Sequence, residues 1–91
     1  MASPMTPAEW RVALRKWGVR FIEYPGWTNR GRPGGFTPRG VMIHHTGSDA
    51  QSESYDEFLF ERGRPDLPAP LCNVATDMDG DLHVGADGRA N

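Results

Sequence analysis

Apolar residues occur along this chain in short groups, each with its own period. Trp10, Ala13, Leu14 and Trp17 repeat at helical spacing, with Arg11, Arg15 and Lys16 on the other side. Thr6-Pro7-Ala8-Glu9 supplies the start of that helix. Thr6 is suited to accept from an orphan N–H, Pro7 fits the first helical position, and Glu9 completes a capping box. Gly18 is the natural stop. Both tryptophans are expected to pack into the core. Val19 to Tyr24 is short and β-prone and predicts a strand. Pro25 to Gly40 is rich in glycine and proline and has no period, so it reads as one long loop pinned by Trp27 and Phe36. Loops of this length are uncommon in compact domains and are often functional.

Val41-Met42-Ile43-His44 is strongly apolar and predicts a buried strand, ending in His44-His45-Thr46-Gly47. Ser48 to Ser54 is a polar connection. Tyr55, Phe58 and Leu59 then form a helical stripe with Asp56, Glu57 and Glu61 outward, and Gly63 ends it. Arg64 to Pro70 is a Pro-rich connection. Leu71 to Met78 reads as a strand and Asp81 to Gly85 as its partner. Asp79-Gly80 between them predicts a two-residue type I′ turn, pairing roughly Asn73–Met78 with Asp81–Gly85. The order is helix, strand, loop, strand, helix, hairpin, without internal repeats.

Composition narrows the picture. Ninety-one residues and 10.1 kDa suit one small domain, or part of a larger one. Such a chain buries about 60–65% of its unfolded surface. The single cysteine, Cys72, excludes an internal disulfide. Ten basic residues against twelve acidic give a net charge of −2, without the basic excess of generic nucleic-acid binding. Arginines gather early, at Arg11, Arg15, Arg20, Arg30, Arg32 and Arg39, and acids dominate later, as on two solvated faces of different charge. No run approaches the roughly 20 apolar residues of a membrane span, and the N-terminus lacks a signal-peptide core. The expectation is a chain made in the cytoplasm and not exported by the usual signal, with neither nucleic acid nor membrane as partner.

The most informative chemistry is at the histidine pair. A histidine ending an apolar strand sits where the backbone leaves the sheet, and its neutral imidazole can reach a metal or a substrate there. Alternation places Met42 and His44 on one side and Val41 and Ile43 on the other. His44 and His45 then point apart, which argues against one metal taking both. Spacing alone leaves a structural role open for either histidine, since no zinc-finger or HExxH pattern is present.

The run VMIHHTG, residues 41–47, resembles the first zinc-ligand motif of the type 2 N-acetylmuramoyl-L-alanine amidases, a family with the peptidoglycan-recognition-protein fold that includes T7-type lysozymes. Gly63-Arg64-Pro65-Asp66-Leu67-Pro68, Pro70-Leu71-Cys72-Asn73, the hairpin around Asp79-Gly80 and Gly88-Arg89-Ala90-Asn91 are similar to amidase domains of phage endolysins. The helix-first opening and Pro25-Gly26-Trp27 look like that group too. The likeness covers essentially the whole chain. HHTG alone is weakly specific; the ordered set is much more so.

The resemblance implies an α/β (α+β) fold, a mixed β-sheet flanked by helices. Residues 1–91 would be the N-terminal portion of a single amidase domain. Residues 1–40 would give its helix, strand and long loop, and 41–91 the zinc-ligand strand, helix and hairpin. The implied reaction is hydrolysis of the amide joining N-acetylmuramic acid to L-alanine of the stem peptide, acting on the bacterial cell wall. His44 would bind Zn2+, which polarises the scissile carbonyl and makes a nucleophile of its bound water near neutral pH. His45, Thr46 and Asn73 would contact substrate.

The family site has three ligands, the others being a histidine directly after GRAN and a later Cys or Asp. The sequence ends at Asn91, so the expectation is an incomplete fold and an inactive isolated chain. An uncovered sheet edge would bring low stability, self-association or dependence on a second polypeptide carrying the remaining ligands. Cys72 reads as a small core residue and His83 as a solvated side chain, with substrate contact the lesser alternative. A non-catalytic muropeptide-binding module is the other functional class, and retention of His44 favours the enzyme lineage.

Overall fold

The computed structural model describes residues 5–38, 40–44 and 53–91, without the side chains of residues 53 and 54. Helix α1 spans Pro7–Lys16 and begins with the expected capping box. Glu9 N donates to Thr6 Oγ1 at 3.2 Å, and Thr6 N donates to Glu9 Oε1 at 3.0 Å. These bonds satisfy donors that a helix start otherwise leaves orphaned. Gly18, just past the end, takes the left-handed conformation at φ 69°. Trp10 meets Trp27 edge-on at 6.5 Å. Trp17, however, is 77% exposed, which corrects the expectation of a core position. It is the C-cap residue, with φ −92° and ψ 7°. At the helix end its ring is met by the Lys16 ammonium, 5.8 Å from the centroid, and stays open to solvent.

Strand β1 is Phe21–Glu23. The long loop that follows contains a short 3₁₀ turn, Trp27–Asn29, entered through Gly26 at φ 84°. Trp27 is buried, as expected of a pin, and Phe36 is half-buried. Helix α2, Glu53–Glu57, continues directly into a π-helical turn, Phe58–Arg62. Gly63 closes it at φ 65°, its N–H bonded to Phe58 O at 2.8 Å.

Strands β2 (Val74–Thr76) and β3 (Leu82–Val84) complete a mixed sheet in the order β1-β3-β2. β1 runs parallel to β3 with Ile22 opposite His83, and β2 runs antiparallel with Ala75 opposite His83. The chain is thus a compact α+β domain, with a small three-stranded mixed sheet and two α-helices among the described residues.

The period of two divides the sheet into faces. Phe21 and Glu23 point toward α1: Arg11 bonds Glu23 Oε1 through Nε at 2.9 Å and Nη2 at 2.6 Å, and the Arg15 guanidinium lies 5.8 Å over the Phe21 ring. Ile22, His83 and Ala75 share the opposite face, where Asp56 of α2 reaches His83. Tyr24, in step with Ile22, meets Phe60 with the rings 5.5 Å apart and tilted by 51°. The sheet therefore lies between α1 and the α2–π segment.

The core consists of Trp27, Leu59, Phe60, Val84 and Ala86. Phe60 is only 1% exposed, although the expected stripe omits it. A π turn carries an extra residue relative to an α turn, and that change of winding rotates Phe60 to the sheet.

Two local expectations are corrected. Val41–His44 forms no strand: Val41 is 92% exposed, Met42 80% and Ile43 91%. Among the described residues the strands pair only with one another, so this run has no strand partner there. The hairpin turn is also longer than two residues. Asp77 N donates to Asp81 O at 3.1 Å and Gly80 N to Asp77 O at 3.3 Å. Only Gly80 has positive φ, at 86°, so Asp79 does not adopt the type I′ conformation. The Asp77 carboxylate explains the change: its Oδ1 accepts from Asp79 N at 2.9 Å and Asp81 N at 3.0 Å, organising the wider turn.

A Cβ on Gly85 would stand 2.1 Å from Phe60 Cδ1. Gly85→Ala should therefore unfold at markedly lower denaturant concentration than the parent. Phe60→Ala should lose about 3–5 kcal/mol, the usual cost of emptying a buried aromatic site. An unchanged denaturation midpoint for Gly85→Ala would refute this packing.

Candidate functional site

His44 lies exposed at the end of the irregular 41–44 run and not at a buried strand rim. His45 and Thr46 lie outside the described residues. Asn73 is half-buried, and its Nδ2 donates to Ala86 O at 2.9 Å and Gly88 O at 2.6 Å. Its own carbonyl accepts from Gly85 N and Ala86 N at 2.9 and 3.1 Å. Asn73 thus fastens the chain leaving β3 to the approach to β2.

The segments that carry the sequence resemblance interlock. Gly63 sits so close to the following turn that a Cβ would be 2.4 Å from Ala69 N. Arg64 and Leu67 exchange backbone bonds at 2.8 and 3.0 Å. Asn91 N donates to Pro70 O at 2.8 Å, and Asn91 Nδ2 to Pro68 O at 2.7 Å. The long loop joins the same assembly. Arg32 N donates to Arg89 O at 2.6 Å, and Arg89 Nη1 to Pro33 O at 3.0 Å.

Between this assembly and the loop lies an open cleft of about 430 Å³, with Gly26, Asn29 and Arg30 on one wall and Glu61, Ala69 and Pro70 on the other. Arg30 organises it. Its Nη1 donates to Gly85 O at 2.7 Å, and its Nη2 to Pro25 O at 2.7 Å and Glu61 Oε1 at 3.1 Å. Tyr24 Oη donates to Glu61 Oε2 at 3.0 Å. Burial, followed by its bond to the Glu61 carboxylate, holds the Tyr24 phenol above its ordinary pKa.

His83 is not the solvated side chain expected of it. Its Nδ1 is 2.6 Å from Asp56 Oδ2 and its Nε2 2.7 Å from Asp77 Oδ2. The His83 and Asp56 side chains are each 13% exposed and that of Asp77 11%. Burial alone would lower the imidazole pKa, but the bonds to Asp77 and Asp56 outweigh it and raise it. The bond from His83 is the largest influence lowering Asp77, followed by the Asp81 N–H. Alternation along β3 indicates which face His83 takes. Nothing local indicates that Asp56, from a distant helix, meets it there.

The same geometry limits metal binding. Both His83 nitrogens are engaged. The Cys72 thiol is pushed up to about 11, by burial and then by the Asp56 charge, so it is protonated at neutral pH. Among the described residues no group of His, Cys, Asp and Glu is arranged to hold a metal ion. Catalytic zinc uses three protein ligands and an open position. The described residues offer His44 alone, so by themselves they do not fit a resident zinc.

No helix among the described residues is long and apolar enough to cross a membrane. No family model, curated protein or solved structure matches the chain.

Cys72 should react slowly with a thiol reagent at pH 7 in the folded chain and rapidly once denatured. Labelling at the rate of a free cysteine in the native state would contradict its protonated, half-buried setting.

Proposed function

We propose that this chain is part of a peptidoglycan amidase, one that hydrolyses the bond between N-acetylmuramic acid and L-alanine. The observation that carries the reading is the ordered set of motifs, His44-His45-Thr46-Gly47, then residues 63–68, 70–73 and 88–91. The last three pack against one another through Asn73 and Asn91, although they are separate in sequence. That packing is what an ordered motif set requires if its members serve one site.

In this reading His44 contributes one zinc ligand, and Zn2+ supplies carbonyl polarisation and water activation when bound. His44 is exposed and so accessible to a metal shared with other donors. The described residues give such a metal only His44, and the resemblance puts the remaining ligands outside them. His45 and Thr46 would contact substrate beside the metal. Asn73 would act by holding the Ala86–Gly88 backbone, with any substrate contact secondary to that.

The open cleft at Arg30 and Glu61 favours a second reading, a module that binds muropeptide without cleaving it. Enzyme and module are separated by one experiment. Peptidoglycan and zinc are mixed with the chain alone, then with a separately expressed polypeptide bearing a histidine and a Cys or Asp ligand. The expected result is no release of L-alanine N-termini by the chain alone and release in the mixture, abolished by His44→Ala. Full hydrolysis by the chain alone would overturn the donor count. Retention of muropeptide without hydrolysis under both conditions would favour the module. Zinc lost in His45→Ala but kept in His44→Ala would reverse the ligand assignment.

A further inference from the structure

The Asp56–His83–Asp77 cluster joins three separate parts of the chain: α2, the hairpin turn and β3. The ring lies between two carboxylates, with one at each nitrogen, 2.6 and 2.7 Å away. The Asp77 contact is at the short end of the range for charge-assisted N–H···O bonds, and the Asp56 contact is slightly shorter. A neutral imidazole carries one N–H and one lone pair. It can donate to only one carboxylate, and the other then faces its lone pair at contact distance. An imidazolium donates to both. The geometry therefore selects the protonated ring.

We propose that Asp56, His83 and Asp77 form a proton-operated latch: the imidazolium docks α2 onto the hairpin, and loss of its proton releases α2. The two carboxylates are not equally free to leave. Asp77 is also held by the N–H groups of Asp79 and Asp81, so its side chain is fixed within the turn. Asp56 belongs to a helix of only five residues, Glu53–Glu57. A helix this short has no stability of its own in water. Its C-terminal continuation is anchored independently, by burial of Leu59 and Phe60. Release therefore begins at Asp56 and stops near Phe58, leaving the sheet intact.

Among the described residues few groups face His83. Asp56 approaches from α2 and Asp77 from the turn, while the residues paired with it across the sheet, Ile22 in β1 and Ala75 in β2, do not titrate. The nearby Cys72 thiol stays protonated through the neutral range. Arg20, which pairs with Asp81 at 3.1 Å, also donates to the Asp79 carbonyl and so reinforces the turn. The direction follows from linkage. His83 is raised in the folded chain, so its contribution is fully present below the ordinary histidine pKa and is lost as pH rises through the folded value. Asp77 is lowered, so its contribution is present above the ordinary aspartate pKa and is lost as pH falls through the folded value. The latch is closed between these limits and opens on the alkaline side by deprotonation of His83.

The test is amide hydrogen exchange, expressed as protection relative to the unstructured chain at each pH, together with ring 15N shifts of His83. At pH 6 both ring nitrogens should carry protons. Raising the pH through the His83 transition should reduce protection of residues 55–57 by tenfold or more, while Phe60 and β3 stay protected. Asp56→Asn provides the decisive variant. Its amide can donate to Nδ1 while neutral His83 donates from Nε2 to Asp77, so protection of residues 55–57 should become independent of pH. His83→Gln should also remove the pH dependence, but with α2 open throughout. A neutral ring at pH 6, pH-independent protection in the parent, or an Asp56→Asn variant that still opens with pH would overturn the proposal.

Discussion

Phe60 seated on Gly85 is the contact on which the other features depend. The ring occupies the space that any larger residue at Gly85 would fill, and it lies beside Tyr24 as well. Burying such a side chain contributes about 1.5–3 kcal/mol, a large share of the stability available to a domain this small. Because Gly85 directly follows β3, the contact fixes the π turn against the end of the central strand. Leu71 N bonding Leu59 O at 2.7 Å then draws the approach to β2 to the same place.

Polar ties extend from that point. Arg30 bonds the Gly85 carbonyl and so holds the long loop against the end of β3, while its other amino group connects Pro25 and Glu61. Asn73 and Asn91 gather residues 68–73 and 86–91 into one assembly. These side chains mostly bond backbone carbonyls. They satisfy loop groups that have no strand or helix partner, which is how a glycine- and proline-rich chain holds definite loop geometry. The cleft between Arg30 and Pro70 results from this arrangement.

Electrostatics differ on the two faces of the sheet. On the α1 face, Glu23 accepts from Arg11 and from Trp27 Nε1, and these bonds hold its carboxyl below the ordinary value, Arg11 having the larger effect. On the α2 face the central group is a histidine between two carboxylates, the one arrangement in the sheet that depends on the protonation of a near-neutral group. Among the described residues the exposed His44 belongs to neither network.

Local interactions were legible in the sequence. The Thr6–Glu9 capping box, the stops at Gly18 and Gly63 and the pairing of β2 with β3 follow from neighbours a few residues apart, whereas β1 and Trp27 were legible from residue type although their partners lie far along the chain. Nothing in the sequence indicated that residues 63–73 and 86–91 interlock. Tertiary structure decided what depends on distant partners. It turned Trp17 outward at the helix cap and wound residues 58–62 so that Phe60, and not the expected stripe alone, reaches the sheet. It left Val41–Ile43 exposed, because a hydrophobic run becomes a buried strand only where backbone partners and apolar cover meet it. It brought Asp56 to His83, a contact that no spacing along the chain encodes. Hydrogen bonds between near neighbours are fixed by the backbone conformation of a few residues, whereas burial and long-range ion pairs exist only after the whole chain has closed around them.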